Sequence, residues 1–347
     1  MRIGLIGTGR IGLSHAAALA ARPEVDDLVV ADLDPASAGA AAERTGARAA
    51  DRVGDLLAPG AVDALVVTAA TGAHPGLILA GAAAGIPVFC EKPVAPTVAE
   101  TARVLEEVER SRARVHIGFM RRFDAGYRRA HRAVRAGELG DLHRVHATTC
   151  DMAPPPAAYI AGSGGLFRDC HVHDFDILRW VTGLEVEEVF AYGANRGAAY
   201  FAEHGDVDTS AAVLRLSDGT LATLQGSRYN GAGYDVRMEL AGTRATLAVG
   251  LDGRAPLRSA EPGADFPADD PWEEFWSRFT PAYEAEIAAF IAMVRDGTPS
   301  PCTVADALEA VLVADAADLS RREHRPVRVD EVRPRARAAH GAARGTA

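Results

Sequence analysis

The sequence predicts an α/β protein in which an N-terminal, doubly wound parallel sheet is followed by an α+β domain with an open-faced, mainly antiparallel sheet. Three observations support this prediction. The 347 residues exceed what one ordinary core holds. Strand-like and helix-like segments alternate in residues 1–120, as they do when crossover helices join parallel strands. Several strand-like segments follow one another in residues 121–330, and the basic, Ala/Gly-rich residues 331–347 are expected to form a disordered tail.

A glycine-rich turn joins the first strand to the first helix. A strand-like run is followed by Gly7-x-Gly9-x-x-Gly12 and an alanine-rich helix, the arrangement typical of a dinucleotide-binding (Rossmann) domain. Gly7 permits the turn, Gly9 lets the backbone approach a pyrophosphate, and Gly12 allows close packing of the helix. The helix start at Arg10 and Ile11 presents free N–H groups to that anion.

An acidic residue, Asp32, ends the second strand-like run, twenty residues after Gly12. A carboxylate at this place accepts hydrogen bonds from ribose hydroxyls and repels a 2′-phosphate, so the cofactor predicted is NAD rather than NADP. Asp34, two residues further on, is an alternative for the same role. The other interpretation of the whole pattern is an α/β domain with a glycine turn and no nucleotide.

The alternation continues with strands over residues 62–68, 88–90 and 115–119 and helices over 75–84 and 99–110. Ligands of parallel sheets bind at the carboxyl ends of the strands. Thr68, His74, Glu91 and Lys92 all lie at such ends and are predicted to line the cofactor cleft. For His74, a helix cap or a surface position is the alternative.

Lys92 is the only lysine among 37 basic residues. An arginine can carry a surface charge as well as a lysine can, but it cannot replace a compact ammonium that donates to a single oxygen. The position after a strand of the parallel sheet therefore marks Lys92 as a candidate catalytic residue near the nicotinamide. The alternative is a lysine that happens to lie on a loop.

A second informative segment runs from Gly164 to Gly183 and is predicted to be one helix. At about 100° per residue, Asp169, His173 and Asp176 share a face, so a carboxylate could fix the imidazole tautomer while the other ring nitrogen faces a substrate hydroxyl. Two alternatives are a structural helix and a metal site formed by nearby side chains, namely Cys170, His171, His173 and Asp174. Histidines two residues apart face different sides of a helix, so we predict no metal.

Composition limits the functional class. The net charge of −10 argues against binding to nucleic acid or to an anionic membrane. The apolar stretches are too short to span a bilayer. Four widely spaced cysteines without a CxxC motif are expected to be free thiols in a reducing cytoplasm.

The second domain is predicted to contain strands over residues 189–194, 209–216, 221–229, 235–241 and 245–249, followed by helices over 272–295 and 304–321. Consecutive strands joined by turns such as Ser217-Asp218-Gly219 indicate an antiparallel sheet.

Together, Gly7-x-Gly9-x-x-Gly12, Glu91-Lys92-Pro93 and Asp169-x-x-x-His173 resemble the Gfo/Idh/MocA oxidoreductase family. Within that family, residues 118–127, 275–279 and 282–287 are most similar to the inositol 2-dehydrogenases. The resemblance implies a catalytic group of Lys92, Asp169 and His173, NAD held by the glycine turn and Asp32, and a homodimer or homotetramer formed through the C-terminal sheet. It also implies further substrate contacts, at Met120, Arg121 and Tyr234.

The expected activity is NAD-dependent oxidation of a secondary alcohol on a cyclic polyol or sugar, with myo-inositol to 2-keto-myo-inositol as the leading reaction. The alternatives are another substrate, such as scyllo-inositol, an aldose or a keto-sugar, and a nucleotide-sensing regulator without catalysis. Two segments differ from the family pattern: residues 149–152 lack an arginine, and the loop over residues 230–233 is short. Both lie where substrate specificity is expected to be set.

Overall fold

The computed structural model of the protein describes residues 1–267 and 269–334. Its strands are β1 (Arg2–Ile6), β2 (Asp27–Ala31), β3 (Arg48–Ala49), β4 (Ala64–Val67), β5 (Val88–Glu91), β6 (Val115–Gly118), β7 (Leu142–Cys150), β8 (Val186–Ala194), β9 (Thr209–Leu216), β10 (Leu221–Ser227), β11 (Asp235–Gly242), β12 (Thr246–Val249) and β13 (Val327–Arg328). The α-helices are α1 (Arg10–Ala20), α2 (Pro35–Thr45), α3 (His74–Ala83), α4 (Val98–Ser111), α5 (Ala125–Arg135), α6 (Ala157–Ser163), α7 (Val172–Thr182), α8 (Tyr200–Glu203), α9 (Phe275–Asp296) and α10 (Val304–Glu323).

The first sheet is parallel throughout and has the strand order β3-β2-β1-β4-β5-β6. The central strands are buried apolar runs, which is the pattern of a sheet covered by helices on both faces. Chain order reverses between β1 and β4, and the glycine turn follows β1 at that point. A crevice at the carboxyl ends of these two strands is where such sheets bind ligands.

The second sheet has seven strands in the order β12-β11-β7-β10-β9-β8-β13. Its neighbours are antiparallel except β7 and β10, which run parallel, so the prediction of a mainly antiparallel sheet is confirmed. One face is buried through side chains such as Leu214 and Leu224, and α10 packs on β8. On the other face Val213 is 47% exposed and Leu221 is 52% exposed, so this face is open.

Helix α9 packs on the first sheet although it follows the second sheet in the chain. Phe290 and Ile291 lie in one apolar cluster with Ile3, Leu5 and Leu28 of the parallel sheet. Helix α9 thus completes the core of the N-terminal sheet, and the boundary at residue 120 does not separate two independently packed units.

The segment before α7 differs from its prediction. Residues Phe167–His171 form a π-helical turn, and the α-helix begins only at Val172. The wider turn changes the direction of every side chain before it, so a face drawn at 100° per residue does not extend across it. Turns of this kind occur frequently at functional sites.

At the C-terminal end, residues 331–334 are part of the fold and not of a tail. Val329–Val332 is a 3₁₀ turn, and Arg333 donates to both carboxylate oxygens of Glu309 at 2.7 Å. Residues 335–347 of the predicted tail lie outside the described residues. Within the part of the chain that the structure describes, no helix is both long enough and apolar enough to cross a membrane.

Candidate active site

Glycine stands at the three positions of the first turn for different structural reasons. Gly7 has φ +98°, and a Cβ there would lie 2.5 Å from the backbone of Ala69. A Cβ on Gly12 would collide with the carbonyl oxygen of Gly7. Around Gly9 a Cβ would meet nothing within 4 Å, and its backbone is extended. Gly7 and Gly12 are therefore required by packing, whereas the space at Gly9 is open to a ligand.

This open space fits the pyrophosphate of NAD. Helix α1 begins at Arg10 without a side-chain cap and without an acidic residue in its first turn, so its first N–H groups are available to an anion. The Arg10 side chain lies over the ring of Phe275, at 5.1 Å, and Ile11 is half-buried. The predicted glycine turn and helix start are thus arranged as a dinucleotide site requires.

Asp32 stands at the end of β2 beside this turn. Its Oδ2 accepts from the backbone N–H of Thr8 at 2.7 Å and from the Thr8 hydroxyl at 3.0 Å. Burial alone would raise the pKa of Asp32, but the hydrogen bonds from Thr8 and the Asp34 backbone hold it below its usual value. The carboxylate is therefore ionised, with lone pairs left for ribose hydroxyls. Asp34 is instead the N-cap of α2 and accepts from Ala36 N–H, which removes it as the alternative.

Thr68 and His74 both contact backbone carbonyl oxygens beside the predicted cofactor cleft. The Thr68 hydroxyl donates to the carbonyl oxygen of Gly7 at 2.6 Å. His74 is buried, and its ring nitrogens lie 2.7 Å from the Pro93 carbonyl and 2.8 Å from the Ala69 carbonyl. Both ring nitrogens already face backbone oxygens, so the geometry does not favour the predicted cofactor contact of His74, which stays a prediction. Its position supports the loop that carries Lys92.

Glu91 is also turned away from the cleft. One carboxylate oxygen lies 2.7 Å from Nε2 of the buried His15, and the other accepts from the backbone N–H of Lys92 at 3.2 Å. A direct cofactor contact by Glu91 is therefore not supported. The contact links the helix after the glycine turn to β5, the strand that precedes Lys92.

Lys92 reaches across to the π-helical turn. Its Nζ donates to the backbone oxygen of Asp169 at 3.0 Å and lies 3.3 Å from Oδ1 of the same residue. The two side chains are 18% and 10% exposed, so the pair lies in the cleft and is not fully enclosed. An ammonium has three N–H donors, and one remains for a substrate oxygen.

The carboxylate of Asp169 has two further partners that the sequence did not indicate. The Tyr159 hydroxyl donates to Oδ1 at 2.8 Å, and Nη2 of Arg228 donates to Oδ2 at 2.7 Å. Burial alone would raise the pKa of Asp169, but the positive charges of Lys92 and Arg228 outweigh it and hold that pKa below the usual range of an aspartate. Asp169 is therefore a carboxylate at neutral pH.

His173 does not pair with Asp169, which corrects the predicted His–Asp arrangement. Its Nδ1 is buried without a hydrogen-bond partner among the described residues, and its ring meets Phe119 edge-on at 5.7 Å. Burial and the nearby charges of Lys92 and Arg121 keep the pKa of His173 well below 6.5. The imidazole is thus neutral near pH 7, and Nε2 is the ring atom left to accept a proton.

Asp176 shares α7 with His173 but is not its hydrogen-bond partner either. It is fully buried, and its two oxygens accept from Arg122 at 2.9 Å and 2.5 Å. The third residue of the predicted face is therefore structural. The π-helical turn accounts for the direction of Asp169, whereas Asp176 lies in α7 together with His173 and is held in the core by Arg122.

Arg121 is buried, and its charge is near enough to act on His173. It donates to Asp174 at 2.5 Å and to Thr149 at 3.1 Å, so its charged end is used within the protein. Met120 is buried in the adjacent 3₁₀ turn. Tyr234 is buried as well, and because burial raises the pKa of its hydroxyl, the group stays protonated and can donate. The substrate contacts predicted for these residues stay predictions.

Three of the four residues considered as metal ligands, namely Cys170, His171 and Asp174, have other partners. His171 is fully buried, with Nδ1 2.8 Å from Asp174 and Nε2 2.8 Å from Ser210. Cys170 accepts from Arg228. Across residues 1–267 and 269–334, no group of three or more His, Cys, Asp or Glu side chains is arranged to hold a metal ion.

The cleft thus combines a dinucleotide site with an ammonium and a neutral imidazole. Lys92 enters from the parallel sheet, whereas Asp169 and His173 enter from the segment between β7 and β8 of the second sheet. A donor and a proton acceptor close to each other suit the removal of a proton from a hydroxyl whose oxygen gains negative charge.

Comparison with known proteins agrees with this arrangement. Residues 1–119 match the model of an oxidoreductase family with an NAD-binding Rossmann fold, and residues 127–248 match the GFO/IDH/MocA C-terminal domain. The chain belongs to the GFO/IDH/MocA family of oxidoreductases.

Particular relatives are similar over nearly the whole chain. The myo-inositol dehydrogenase Hyg17 of Streptomyces leeuwenhoekii is 38% identical over 323 residues, which are 92% of this chain and 97% of that protein. The crystal structure of a myo-inositol dehydrogenase from Corynebacterium glutamicum has a TM-score of 0.87 at 35% identity, covering 94% of this chain and 98% of that one. The scyllo-inositol dehydrogenase of Lactobacillus casei, solved with bound NAD(H) and scyllo-inositol, has a TM-score of 0.85 at 28% identity, covering 95% and 99%.

Proposed function

We propose that the protein is an NAD-dependent dehydrogenase that oxidises a secondary hydroxyl of an inositol, with myo-inositol to 2-keto-myo-inositol as the leading reaction. The observation that carries this proposal is the position of Lys92, which leaves the dinucleotide-binding sheet and contacts Asp169, one π-helical turn before His173. Two of the relatives described above are named for myo-inositol and one for scyllo-inositol, so scyllo-inositol is the second candidate.

His173 acts as the general base in this proposal. A neutral ring with its proton on Nδ1 leaves Nε2 free to take the hydroxyl proton of the substrate. The lowered pKa favours the neutral form that a base needs. When bound, NAD supplies the acceptor for the hydride that leaves the alcohol carbon.

Lys92 stabilises the oxygen that loses its proton. Its Nζ donates to that oxygen while two of its hydrogens remain on the backbone and side chain of Asp169. In this scheme Asp169 orients Lys92 and does not orient His173. The Tyr234 hydroxyl is a further donor for the polyol.

The decisive experiment is turnover by the purified chain with NAD and a panel of myo-inositol, scyllo-inositol, aldoses and linear polyols, followed as NADH absorbance. We expect one inositol to be oxidised with the highest kcat/KM. In His173→Ala, kcat should fall by about 10²–10⁴-fold while the affinity for NAD stays the same. NAD binding without oxidation of any compound in the panel would contradict the proposal and favour a nucleotide-sensing protein.

We also propose that a second copy of the chain covers the open face of the second sheet, giving a homodimer or homotetramer. Val213 pairs with Thr223 on one side and with Phe190 on the other, and it is exposed together with Leu221 and Tyr192. Such a patch is typical of an interaction surface. Val213→Glu should lower the mass measured by light scattering. A wild-type chain that already has the mass of a monomer would contradict this arrangement.

The four cysteines support the proposal that the protein works in the reducing cytoplasm. All four are free and buried in the structure. Buried free thiols are typical of proteins from compartments that do not form disulfides. Fractionation of the cells is the direct measurement of the compartment in which the protein is found.

A further inference from the structure

Arg228 follows β10 and is the least exposed charged group in contact with Asp169. It is 2% exposed. Nη2 donates to Oδ2 of Asp169 at 2.7 Å, and Nη1 donates to Oδ2 of Asp151 at 3.0 Å and contacts Sγ of Cys170 at 2.8 Å. A guanidinium that spans two carboxylates uses the fixed fork geometry that a single ammonium lacks.

The pairing of β10 with β7 places Arg228 at this point. The two strands run parallel, with Ser227 opposite Cys150, and the Asp151 N–H donates to the Ser227 carbonyl at 2.9 Å. Arg228 and Asp151 are the next residues along these strands. The rigid central part of the second sheet therefore fixes the guanidinium, and the guanidinium in turn contacts the π-helical turn.

The two oxygens of Asp169 have different partners. Oδ1 faces Lys92 and the Tyr159 hydroxyl, whereas Oδ2 faces Arg228. Without the bond from Arg228, the carboxylate could rotate about its terminal torsion, which has a broad energy profile. Lys92 would keep its bond to the Asp169 backbone oxygen but lose a fixed partner at its second hydrogen.

We infer that Arg228 is a positioning residue, which fixes the Asp169 carboxylate as an oriented acceptor for the Lys92 ammonium. The inference rests on the proposed function, since Lys92 is the donor to the reacting oxygen there. Two carboxylates, two cations and two neutral donors surround this point. The groups that face Asp169 are Lys92 after β5, Asp151 after β7, Tyr159 of α6, Cys170 of the π-helical turn and Arg228 after β10.

Lys92 provides a reporter that needs no turnover. Because it is the only lysine in the chain, lysine labelled with ¹³C at Cε gives a single side-chain resonance. Its ammonium lies 3.3 Å from Oδ1 of Asp169, so the resonance senses whether that carboxylate is ionised. In the wild type we expect no step between about pH 4.5 and about pH 7 that Asp169→Asn removes, because this range lies above that of an ordinary aspartate.

In Arg228→Met the positive charge beside Asp169 is lost. We therefore expect the pKa of Asp169 to rise by about 1 to 3 pH units, which brings its step into that range. Adding Asp169→Asn to this variant should abolish the step. Arg122→Met is the matched control, because Arg122 is also buried on two aspartates, Asp176 and Asp306, but does not contact Asp169. A folded Arg228→Met that stays as flat as the wild type would overturn the inference.

Arg228→Lys covers the case in which the methionine variant does not fold. It keeps the charge and loses the fork, so kcat should fall about 10-fold, with the affinity for NAD unchanged. Because this variant contains a second lysine, it is tested by kinetics and not by the lysine resonance. Wild-type kcat in Arg228→Lys would also overturn the inference. The resonance experiment is independent of turnover, so a protein inactive on every polyol would refute the proposed function and leave the role of Arg228 measurable.

Discussion

Replacing Lys92 by arginine keeps its positive charge and changes its geometry. The wild-type Nζ reaches the Asp169 backbone oxygen at 3.0 Å and Oδ1 at 3.3 Å, which leaves one hydrogen for the substrate. A guanidinium is longer and planar, and it cannot place a single donor at the same point. Loss of one preorganised donor to a developing oxyanion costs about 10²–10³-fold in kcat. We therefore expect kcat of Lys92→Arg to fall by that factor.

The fold of Lys92→Arg should be retained, because Asp169 keeps its bonds from Arg228 and Tyr159. The assay is steady-state oxidation of the best polyol, with NAD binding measured separately by fluorescence. Arg321→Lys is a suitable control, since its side chain is 17% exposed against 18% for Lys92 and also pairs with an aspartate. If Lys92→Arg turned over within about threefold of the wild type, the argument from donor geometry would be refuted.

Three further predictions concern the cofactor turn, the base and the core. Gly9→Ala should fold normally and weaken NAD binding, whereas Gly12→Ala should lower the melting temperature, because only the Cβ at residue 12 meets backbone. The pKa of His173 is depressed, so its neutral form persists below pH 6.5. The plot of kcat/KM against pH should therefore show no fall centred at pH 6.5. A fall centred at pH 6.5 would contradict the assignment of His173 as the general base. Burial lowers the pKa of His116 to about 3, so its neutral ring contributes stability that is present above pH 6.5 and lost as pH falls toward 3. His116→Phe should therefore recover about 2 kcal/mol relative to the wild type between pH 7 and pH 5, as measured by urea unfolding.

The parallel sheet was predictable because its signals are local. The strand, turn and helix around Gly7 and Gly12 follow one another within residues 2–20. The positive φ of Gly7 and the approach of Gly12 to the Gly7 carbonyl are both local to that segment. In contrast, β7 was missed, although it lies in the middle of the second sheet. Its sequence, with two histidines, an arginine and two threonines, has no apolar alternation, and its burial comes from β10 and β11 on either side.

The site was predictable only in part, for the same reason. Lys92, Asp169 and His173 were indicated by residue type and by their motifs, and the cleft does bring Lys92 and Asp169 into contact. The partner of Asp169 was predicted wrongly, because a π-helical turn has no periodic signature in the sequence. Arg228 is 59 residues away from Asp169 in the chain, and no pattern within its own strand indicates that contact.

By itself the sequence determined the local elements: the glycine turn, the acid after β2 and the single amine at the end of β5. Each of these depends on backbone conformation and residue chemistry over a few neighbouring positions. Only the tertiary structure decided how the charges pair, with Arg228 and Lys92 on Asp169 and with His173 left neutral against Phe119. Ion pairs in a cleft depend on which strands and turns become neighbours, and that is settled by the packing of the whole chain.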